Sequence, residues 1–176
     1  MGKDSISQRI TKSSFLTHEE VTSIETWIKK LNRYSLHTQN QKITYIKNMF
    51  SHSYRILGQG LNRIVFDLGN GHVLKIALSE VGLLSNKNEH SLYTDCHPSV
   101  KKYLCPVKEH GNGWIVMKKM DDKLPPTLQN FNKLINLHAR FFSQGILPVD
   151  LRPVNTALDK KGKLKIIDYG LFMKFV

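Results

Sequence analysis

Residues 147–170 read LPVDLRPVNTALDKKGKLKIIDYG, in which two short apolar segments stand between polar residues. The segments, TAL at 156–158 and LKII at 164–167, flank a turn that ends in glycine, so the sequence predicts a β-hairpin. Asn155 directly precedes the first strand, and Asp168 directly follows the second. Antiparallel pairing brings these two positions to the same end of the hairpin, so both side chains are expected to border one pocket.

The polar residues of this stretch suit chemistry on a phosphate group. Mg²⁺ prefers oxygen ligands, takes few of them from the protein and completes its shell with phosphate oxygens and water. Asn155 and Asp168 are therefore candidate ligands for Mg²⁺. Asp150 is a candidate general base, because a carboxylate can receive the proton of an attacking hydroxyl. The alternative is that Asp150 and Asp168 only hydrogen-bond nearby backbone in turns.

The same stretch resembles the catalytic core of the protein-kinase-like superfamily, whose pattern is HRDLxxxN followed by DFG. Residues 150–155 read DLRPVN and residues 168–170 read DYG, so the aspartate, leucine and asparagine positions are in register. Pro148 and Val149 replace the His and Arg of the family pattern, and tyrosine replaces phenylalanine in the last triplet. The resemblance extends over residues 54–170.

The resemblance implies a role for each polar residue of the stretch. Asp150 would act as the catalytic base, and Asn155 and Asp168 would hold Mg²⁺. Arg152 lies where many kinases have a lysine near the transferred phosphate, so its charge would offset that of the transferred group.

A glycine-containing loop stands before two predicted strands that are joined by a Gly-Asn-Gly turn at 69–71. Gly58, Gly60 and Val65 resemble the kinase loop GxGxxGxV, with Arg63 in place of the third glycine. The resemblance implies that the glycines let backbone amides approach the phosphates of ATP and that Val65 covers the adenine. Two interpretations of Arg63 stay open: it narrows the loop, or it contacts phosphate. A GxG at a hairpin is by itself usually only a turn.

Lys75 lies within an apolar strand, VLKIA at 73–77, which is similar to the VAIK strand of kinases. In that family the lysine holds the α- and β-phosphates of the nucleotide. A buried ammonium needs a charged partner, because burying an unpaired charge is costly. Glu89, in a predicted short helix at 85–93, matches the glutamate of the family's Lys–Glu pair. The alternative is an exposed lysine on an edge strand.

Two further strands are predicted at 103–110 and 113–120, on either side of a second Gly-Asn-Gly turn. On the resemblance, the second strand leads into the hinge between two lobes. Met117 would then line the back of the adenine pocket, and the backbone of Met120 would bind the edge of the base. The alternative is a core strand in which both methionines fill space.

Helices are predicted on both sides of these strands. A capping box at 17–20 and apolar residues at helical spacing over 21–31 and 38–50 predict two helices in a region without a catalytic motif. They are interpreted as a packing extension, with a docking surface as the alternative. A further helix over 128–142 leads into the catalytic stretch.

The formal net charge of +12, from 26 basic and 14 acidic residues, calls for a negatively charged partner. ATP, an acidic protein and nucleic acid all qualify. Nucleic acid is not favoured, because the lysines are spread along the chain without a long basic block or interleaved aromatic residues. A solvated basic surface also accounts for the charge.

No apolar run reaches the length of a membrane span, and the N-terminus lacks the apolar region of a signal peptide. Cys96 and Cys105 are the only cysteines and have no CxxC spacing, which indicates a reducing, cytoplasmic location.

These observations predict an α+β protein with a kinase-like fold, comprising an antiparallel N-lobe sheet and a strongly reduced helical C-lobe. Residues 1–53 would form a helical extension, 54–122 the N-lobe and hinge, and 123–176 the truncated C-lobe with the catalytic loop and metal-binding hairpin. The expected function is ATP- and Mg²⁺-dependent phosphoryl transfer to a Ser or Thr hydroxyl of a protein, including the chain itself. The alternatives are a pseudokinase that binds nucleotide and regulates a protein partner, a basic nucleic-acid-associated protein, and a small-molecule phosphotransferase.

Overall fold

The structure is a computed structural model that describes residues 12–31, 38–50, 52–120 and 122–175. The first eleven residues of the predicted extension, and its residues 32–37, lie outside the described part. Two helices come first, α1 (His18–Lys30) and α2 (Gln39–Phe50). The remaining elements are β1 (Arg55–Gln59), β2 (Arg63–Asp67), β3 (His72–Ala77), α3 (Glu80–Asp95), α4 (Pro98–Lys101), β4 (Val107–Gly111), β5 (Trp114–Lys118), β6 (Asp122–Lys123), α5 (Leu128–Phe142), β7 (Ile146–Leu147), a 3₁₀ turn (Pro153–Asn155), β8 (Thr156–Leu158), β9 (Leu164–Ile166) and β10 (Met173–Lys174).

A five-stranded antiparallel sheet in the order β1-β2-β3-β5-β4 dominates the first half of the chain. Its register places Val65 of β2 opposite Lys75 of β3, and Lys75 opposite Ile115 of β5. Side chains alternate between the two faces of a strand, so Val65 and Lys75 lie on one face and their neighbours lie on the other. With few helices following it, this antiparallel sheet confirms the predicted α+β class.

The two faces of the sheet belong to two separate apolar cores. On one face, Trp27 of α1 and Ile46 of α2 pack with Phe66 and Leu74. The indole nitrogen of Trp27 also donates a 2.8 Å hydrogen bond to the carbonyl of Ala77. The helices of the N-terminal region therefore cover the face of the sheet that points away from Lys75.

The second core lies between the other face of the sheet and the C-terminal half of the chain. It joins Leu92 of α3 and Met117 of β5 to Phe141 of α5, Ile166 of β9 and Phe172. This core fixes how the β8–β9 hairpin sits against the sheet.

The predicted hairpin is present as β8 and β9, with Thr156 opposite Ile166. Asp159 stabilises its turn by accepting hydrogen bonds of 2.9 Å from the amides of Lys161 and Lys163. Gly162 has a φ of 68°, a conformation that favours glycine. The short strand β6 pairs with β8 on the other side, which places the segment after the hinge beside the hairpin.

The end of the described chain returns to the start of the catalytic stretch. β10 pairs antiparallel with β7, with Lys174 opposite Ile146 and Met173 opposite Leu147. Phe172, which directly precedes β10, is buried and packs edge-on against Phe141 with ring centroids 5.4 Å apart.

Three predicted elements differ from the structure in extent or burial. α3 starts at Glu80 rather than at 85, because the side chain of Ser79 accepts a hydrogen bond from Gly82 and begins the helix earlier. β4 starts at Val107 rather than at 103, because α4 and a turn occupy the preceding residues. The helical period predicts one apolar face for α5, formed by Leu128, Phe131, Leu134, Ile135, His138, Phe141 and Phe142. Of these only Leu134 and Phe141 are buried, together with Leu137, and an apolar stripe stays exposed. The exposed stripe comprises Leu128, Phe131, Ile135 and Phe142.

None of the helices in the described part of the chain combines the length and the apolar character that crossing a membrane requires.

Candidate active site

The β8–β9 hairpin positions two of the predicted site residues. Asn155 ends the 3₁₀ turn before β8, and Asp168 lies two residues beyond the end of β9. The amide of Ile167 donates a 2.8 Å hydrogen bond to the carbonyl of Asn155, which extends the strand pairing by one step beyond the hairpin. Asn155 and Asp168 consequently both line the same two cavities, as the hairpin pattern predicts.

Asp150 is held in a tight loop by two neighbours. Its φ of 65° lies in the left-handed region, which aspartate tolerates better than most residues. Arg152 Nε lies 2.6 Å from Asp150 Oδ1, and the Asn155 amide nitrogen donates a 2.9 Å hydrogen bond to Asp150 Oδ2. Because the Asn155 nitrogen faces Asp150, the Asn155 oxygen remains as the atom that can accept or bind a cation.

Lys75 and Glu89, predicted as a pair from the resemblance, are in direct contact. Lys75 Nζ lies 2.9 Å from Glu89 Oε1, and both residues are buried. Lys75 also donates a 2.7 Å hydrogen bond to the carbonyl of Ile167. The alternative of an exposed edge-strand lysine is wrong, because β3 is flanked by β2 and β5 and Lys75 faces the second core.

Arg63 points into the site and contacts two carboxylates. Its Nη1 lies 2.7 Å from Glu89 Oε2, and its Nη2 forms an ion pair with Asp168 Oδ1. Nη1 also donates a 3.2 Å hydrogen bond to the Asn86 side chain. Neither sequence interpretation of Arg63 included these contacts. The alternation of side chains along β2 could have predicted them. Arg63 stands two residues before Val65, so it lies on the same face of the sheet as Val65 and Lys75.

The charges around Asp168 keep it ionised. Burial raises the pKa of the Asp168 carboxyl, but the positive charges of Lys75 and Arg63 and the hydrogen bond from Arg63 outweigh burial and lower the pKa below its ordinary value. Burial likewise disfavours the charged form of Arg63, while Glu89 and Asp168 stabilise it, with a net raised pKa. Asp168 is therefore a carboxylate at neutral pH, which is the form that binds cations.

Two adjoining cavities border these residues. The first, of about 450 Å³, has an apolar wall that includes Val65, Val73, Met117, Ala157 and Ile167. A volume of this size is typical of small-molecule sites, which are mostly apolar with a few placed polar groups.

The polar end of the first cavity includes Lys75, Asn155 and Asp168, and Gly58 and Met120 also line it. Cys105 is a further lining residue, and burial raises the pKa of its thiol to about 12, so the thiol stays protonated.

The second cavity, of about 410 Å³, lies on the glycine-loop side of the first. Gly60 and Asp150 line it, together with Lys75, Asn155 and Asp168. A Cβ atom built on Gly58 would meet no protein atom within 4 Å, so the loop adjoins open space.

Two predicted site residues lie outside both cavities. Glu89 stands behind Lys75 and contacts it from α3. Arg152 pairs with Asp150 and borders a different, smaller pocket with residues of α5. In this arrangement Arg152 orients Asp150 and does not face the cavity that Lys75 lines.

The possible metal ligands are few. Within the described ranges, no group of three or more His, Cys, Asp or Glu side chains is placed to hold a metal ion. Asn155 and Asp168 would therefore supply the protein ligands, and phosphate oxygens and water would supply the others. This donor set fits Mg²⁺, which keeps several waters and commonly takes only one or two carboxylates.

Comparison with known proteins gives a clear result only at the level of structure. No family model and no curated protein sequence matches the chain. A crystal structure of WbdD superposes with a TM-score of 0.53 at 21% identity, covering 68% of this chain and 33% of WbdD. The Rio2 kinase–ADP/Mg²⁺–phosphoaspartate complex from Chaetomium thermophilum superposes with a TM-score of 0.54 at 15% identity, covering 74% of this chain and 53% of that one.

The chain has a protein-kinase-like fold. Another WbdD structure, described as a bifunctional kinase-methyltransferase, agrees at a TM-score of 0.51 and 21% identity over 65% of this chain and 30% of that chain. The chain spans about a third of the length of WbdD and about half of that of the Rio2 structure. At sequence identities this low, the similarity concerns the kinase-like fold alone.

Proposed function

We propose that the chain uses ATP and Mg²⁺ to transfer a phosphoryl group to the Ser or Thr hydroxyl of a protein. One observation carries the proposal. Two adjoining cavities in a kinase-like fold share a lysine paired with a buried glutamate, and the same cavities are lined by residues suited to binding a metal and accepting a proton. Lys75, Asn155 and Asp168 line both cavities, and Asp150 lines the second.

The cavities fit the two ends of a nucleotide. The adenine would lie in the first cavity between Val65 and Met117, and the phosphates would pass Gly58 toward the second cavity. An ammonium group has three hydrogen-bond donors. Lys75 uses one on Glu89 and one on Ile167, which leaves the third for a phosphate oxygen.

Asp168 and Asn155 would hold Mg²⁺, which supplies neutralisation of phosphate charge when bound. Asp168 is ionised, and its carboxylate accepts hydrogen bonds from Arg63 and from the Gly170 backbone. An ionised carboxylate has about four lone-pair sites, so it can also bind a cation. The Asn155 oxygen is available because its nitrogen is engaged by Asp150.

Asp150 would receive the proton of the attacking hydroxyl. Arg152 and Asn155 fix the orientation of its carboxylate, so a hydroxyl that enters the second cavity meets a positioned base. A positioned base of this kind typically contributes 10²–10⁴-fold to the rate. The protein hydroxyl as acceptor is proposed from the resemblance of the DLRPVN loop to that of protein kinases.

A nucleotide-binding regulator is the second candidate, and one observation favours it. Both carboxylates assigned to catalysis are already paired with arginines of the chain, Asp150 with Arg152 and Asp168 with Arg63. A module that acts on a protein partner needs the nucleotide cavity but not a free base.

Phosphate transfer from γ-labelled ATP with Mg²⁺ tests the proposal on wild type, Asp150→Ala and Asp168→Asn. We expect label to appear on protein with the wild type and to be lost with both variants. Absence of both transfer and ATP turnover, in protein that Mg-ATP still stabilises against heat, would favour the regulator. Glu19→Gln, at an exposed position on α1, is the matched control and should transfer like wild type.

A further inference from the structure

The carboxylate of Glu89 is shared between two cations. Its Oε1 accepts hydrogen bonds from Lys75 Nζ at 2.9 Å and from the backbone amide of Tyr169 at 3.1 Å. Its Oε2 lies 2.7 Å from Arg63 Nη1. Glu89 is fully buried, and a buried carboxylate is tolerated only when it is paired and hydrogen-bonded. Each oxygen of Glu89 therefore needs at least one partner, and Arg63 is the partner of Oε2.

Arg63 connects three parts of the molecule with one side chain. It belongs to β2, it contacts Glu89 and Asn86 of α3, and it contacts Asp168 beyond β9. Its side chain is only 10% exposed. A guanidinium presents five donors in a rigid plane, so it can bind two carboxylates at once, whereas an ammonium acts as a single compact charge.

Hydrogen bonds hold the backbone on both sides of Arg63. The amide of Gly60 donates a 2.9 Å hydrogen bond to the Arg63 carbonyl, which closes the turn between β1 and β2. The amide of Leu78 donates a 2.7 Å hydrogen bond to the Asn62 carbonyl, and the Ser79 hydroxyl donates to the Asn62 side chain. The Arg63 side chain thus extends into the site from a strand whose backbone is hydrogen-bonded, and not from a loop.

We infer that Arg63 is a positioning residue that holds Glu89 of α3 and Asp168 in one fixed arrangement. The importance of this role for catalysis rests on the proposed function, because phosphoryl transfer in this fold requires the Lys–Glu pair and the metal-binding aspartate to be in place together. In this chain a single strand residue contacts both acids. Movement of α3 away from the sheet therefore breaks the contact of Glu89 with Arg63 as well as its contact with Lys75.

The amide of Tyr169 reports on this arrangement, because its hydrogen-bond acceptor is Glu89. Amide hydrogen exchange measured by NMR on wild type, Arg63→Met, Arg63→Lys and Arg140→Met tests the inference. We expect the Tyr169 amide to exchange about tenfold or more faster in Arg63→Met, since Glu89 loses a charged hydrogen-bond partner. Arg63→Lys should give an intermediate rate because it reaches one carboxylate. Arg140→Met changes an exposed arginine of α5 and should leave Tyr169 unchanged.

Two results would overturn the inference. One is an unchanged Tyr169 rate in Arg63→Met. The other is that the amides of β1, β2 and β3 exchange faster by the same factor as Tyr169, and that Arg63→Lys does not restore slower exchange. That result would mean that Arg63 only stabilises its own strand. If Arg63→Met does not fold, a wild-type Tyr169 rate in Arg63→Lys overturns it in the same way.

The exchange measurement needs no nucleotide and no activity. A wild type that transfers no phosphate would therefore count against the proposed function alone. A faster Tyr169 amide in such a protein would still support the role of Arg63.

Discussion

Lys75 of the sheet donates a 2.7 Å hydrogen bond to the backbone carbonyl of Ile167, the residue before Asp168. This bond directly joins two parts of the site: the strand whose lysine would bind phosphate, and the segment that carries the proposed metal ligand. The second donor of Lys75 goes to Glu89 at 2.9 Å. The same side chain therefore orients two acidic residues and keeps one donor for a ligand.

Replacement of Lys75 by methionine should weaken nucleotide binding without unfolding the protein. Glu89 would keep Arg63 and the Tyr169 amide as partners, so the buried carboxylate stays satisfied. Loss of a charged hydrogen bond to phosphate should weaken Mg-ATP binding about ten- to a hundredfold. Titration followed by calorimetry measures this. Lys87→Met, on the exposed side of α3, is the control, and equal affinity in both variants would contradict the role of Lys75.

Replacement of Asp168 by asparagine should remove the Mg²⁺-dependent part of ATP binding. The carboxylate is the only charged protein ligand proposed for the cation, and the asparagine cannot supply that charge. Asn155→Ala should weaken the same effect less, because it removes a neutral oxygen. The measurement compares the thermal stabilisation by ATP with Mg²⁺ and with a chelator. Asp95→Asn, an exposed carboxylate at the end of α3, should behave as wild type.

Alanine should lower the stability of the protein at one glycine of the site and leave it nearly unchanged at another. A Cβ on Gly170 would lie 2.6 Å from Ser85 Cβ, so Gly170→Ala forces α3 and the DYG segment apart. We expect it to lower the free energy of unfolding by about 1–3 kcal/mol. A Cβ on Gly58 meets no protein atom within 4 Å, so Gly58→Ala should change stability by less than about 0.5 kcal/mol.

Gly58→Ala should nevertheless weaken ATP binding, because its methyl group would enter the space proposed for the phosphates. Urea unfolding and ATP titration of both glycine variants separate these effects. A destabilised Gly58→Ala with wild-type affinity would show that the loop does not serve the nucleotide.

The stability of the protein should fall as the pH drops below the ordinary pKa of histidine. The rings of His90 on α3 and His110 on β4 stack with centroids 3.5 Å apart. Partial desolvation of the otherwise exposed His110, and the nearby charge of His90, lower the pKa of His110 below its ordinary value of 6.5. The unfolded chain then binds a proton at a pH where the folded protein does not, so protonation favours unfolding. This stabilisation is complete above pH 6.5 and is lost as the pH falls toward the lowered folded value.

His110→Gln should reduce this slope in urea midpoints measured from neutral to mildly acidic pH. His138→Gln on the exposed side of α5 is the control and should keep the wild-type slope. An identical slope in wild type and His110→Gln would assign the pH dependence to other groups.

Sequence reasoning predicted the elements whose signal is local. The TAL and LKII segments predicted the β8–β9 hairpin, and the spacing of Asn155 and Asp168 placed them on the same cavities. Pairing of Lys75 with Glu89 followed from the motif, because burial makes a partner obligatory.

The features that were missed depend on tertiary contacts. Arg63 was interpreted by its place in a loop, although its strand position gives it the face of Lys75. The helical period of α5 showed its apolar residues but not that Phe131 and Ile135 stay exposed while Leu134 and Leu137 are buried. A period identifies a face, and only the packed neighbours decide which part of that face is covered.

The pairing of β7 with β10 determines how the site is held together before any ligand binds. Ile146 and Lys174 lie opposite each other, and the chain between them carries Asp150, Asn155 and Asp168. These residues thus belong to one loop whose two ends are already joined. The entropy cost of closing that loop arises when the protein folds, so it does not reduce the free energy of ligand binding. A change that separates β10 from β7 should therefore weaken binding at the site even though neither strand contacts the cavities.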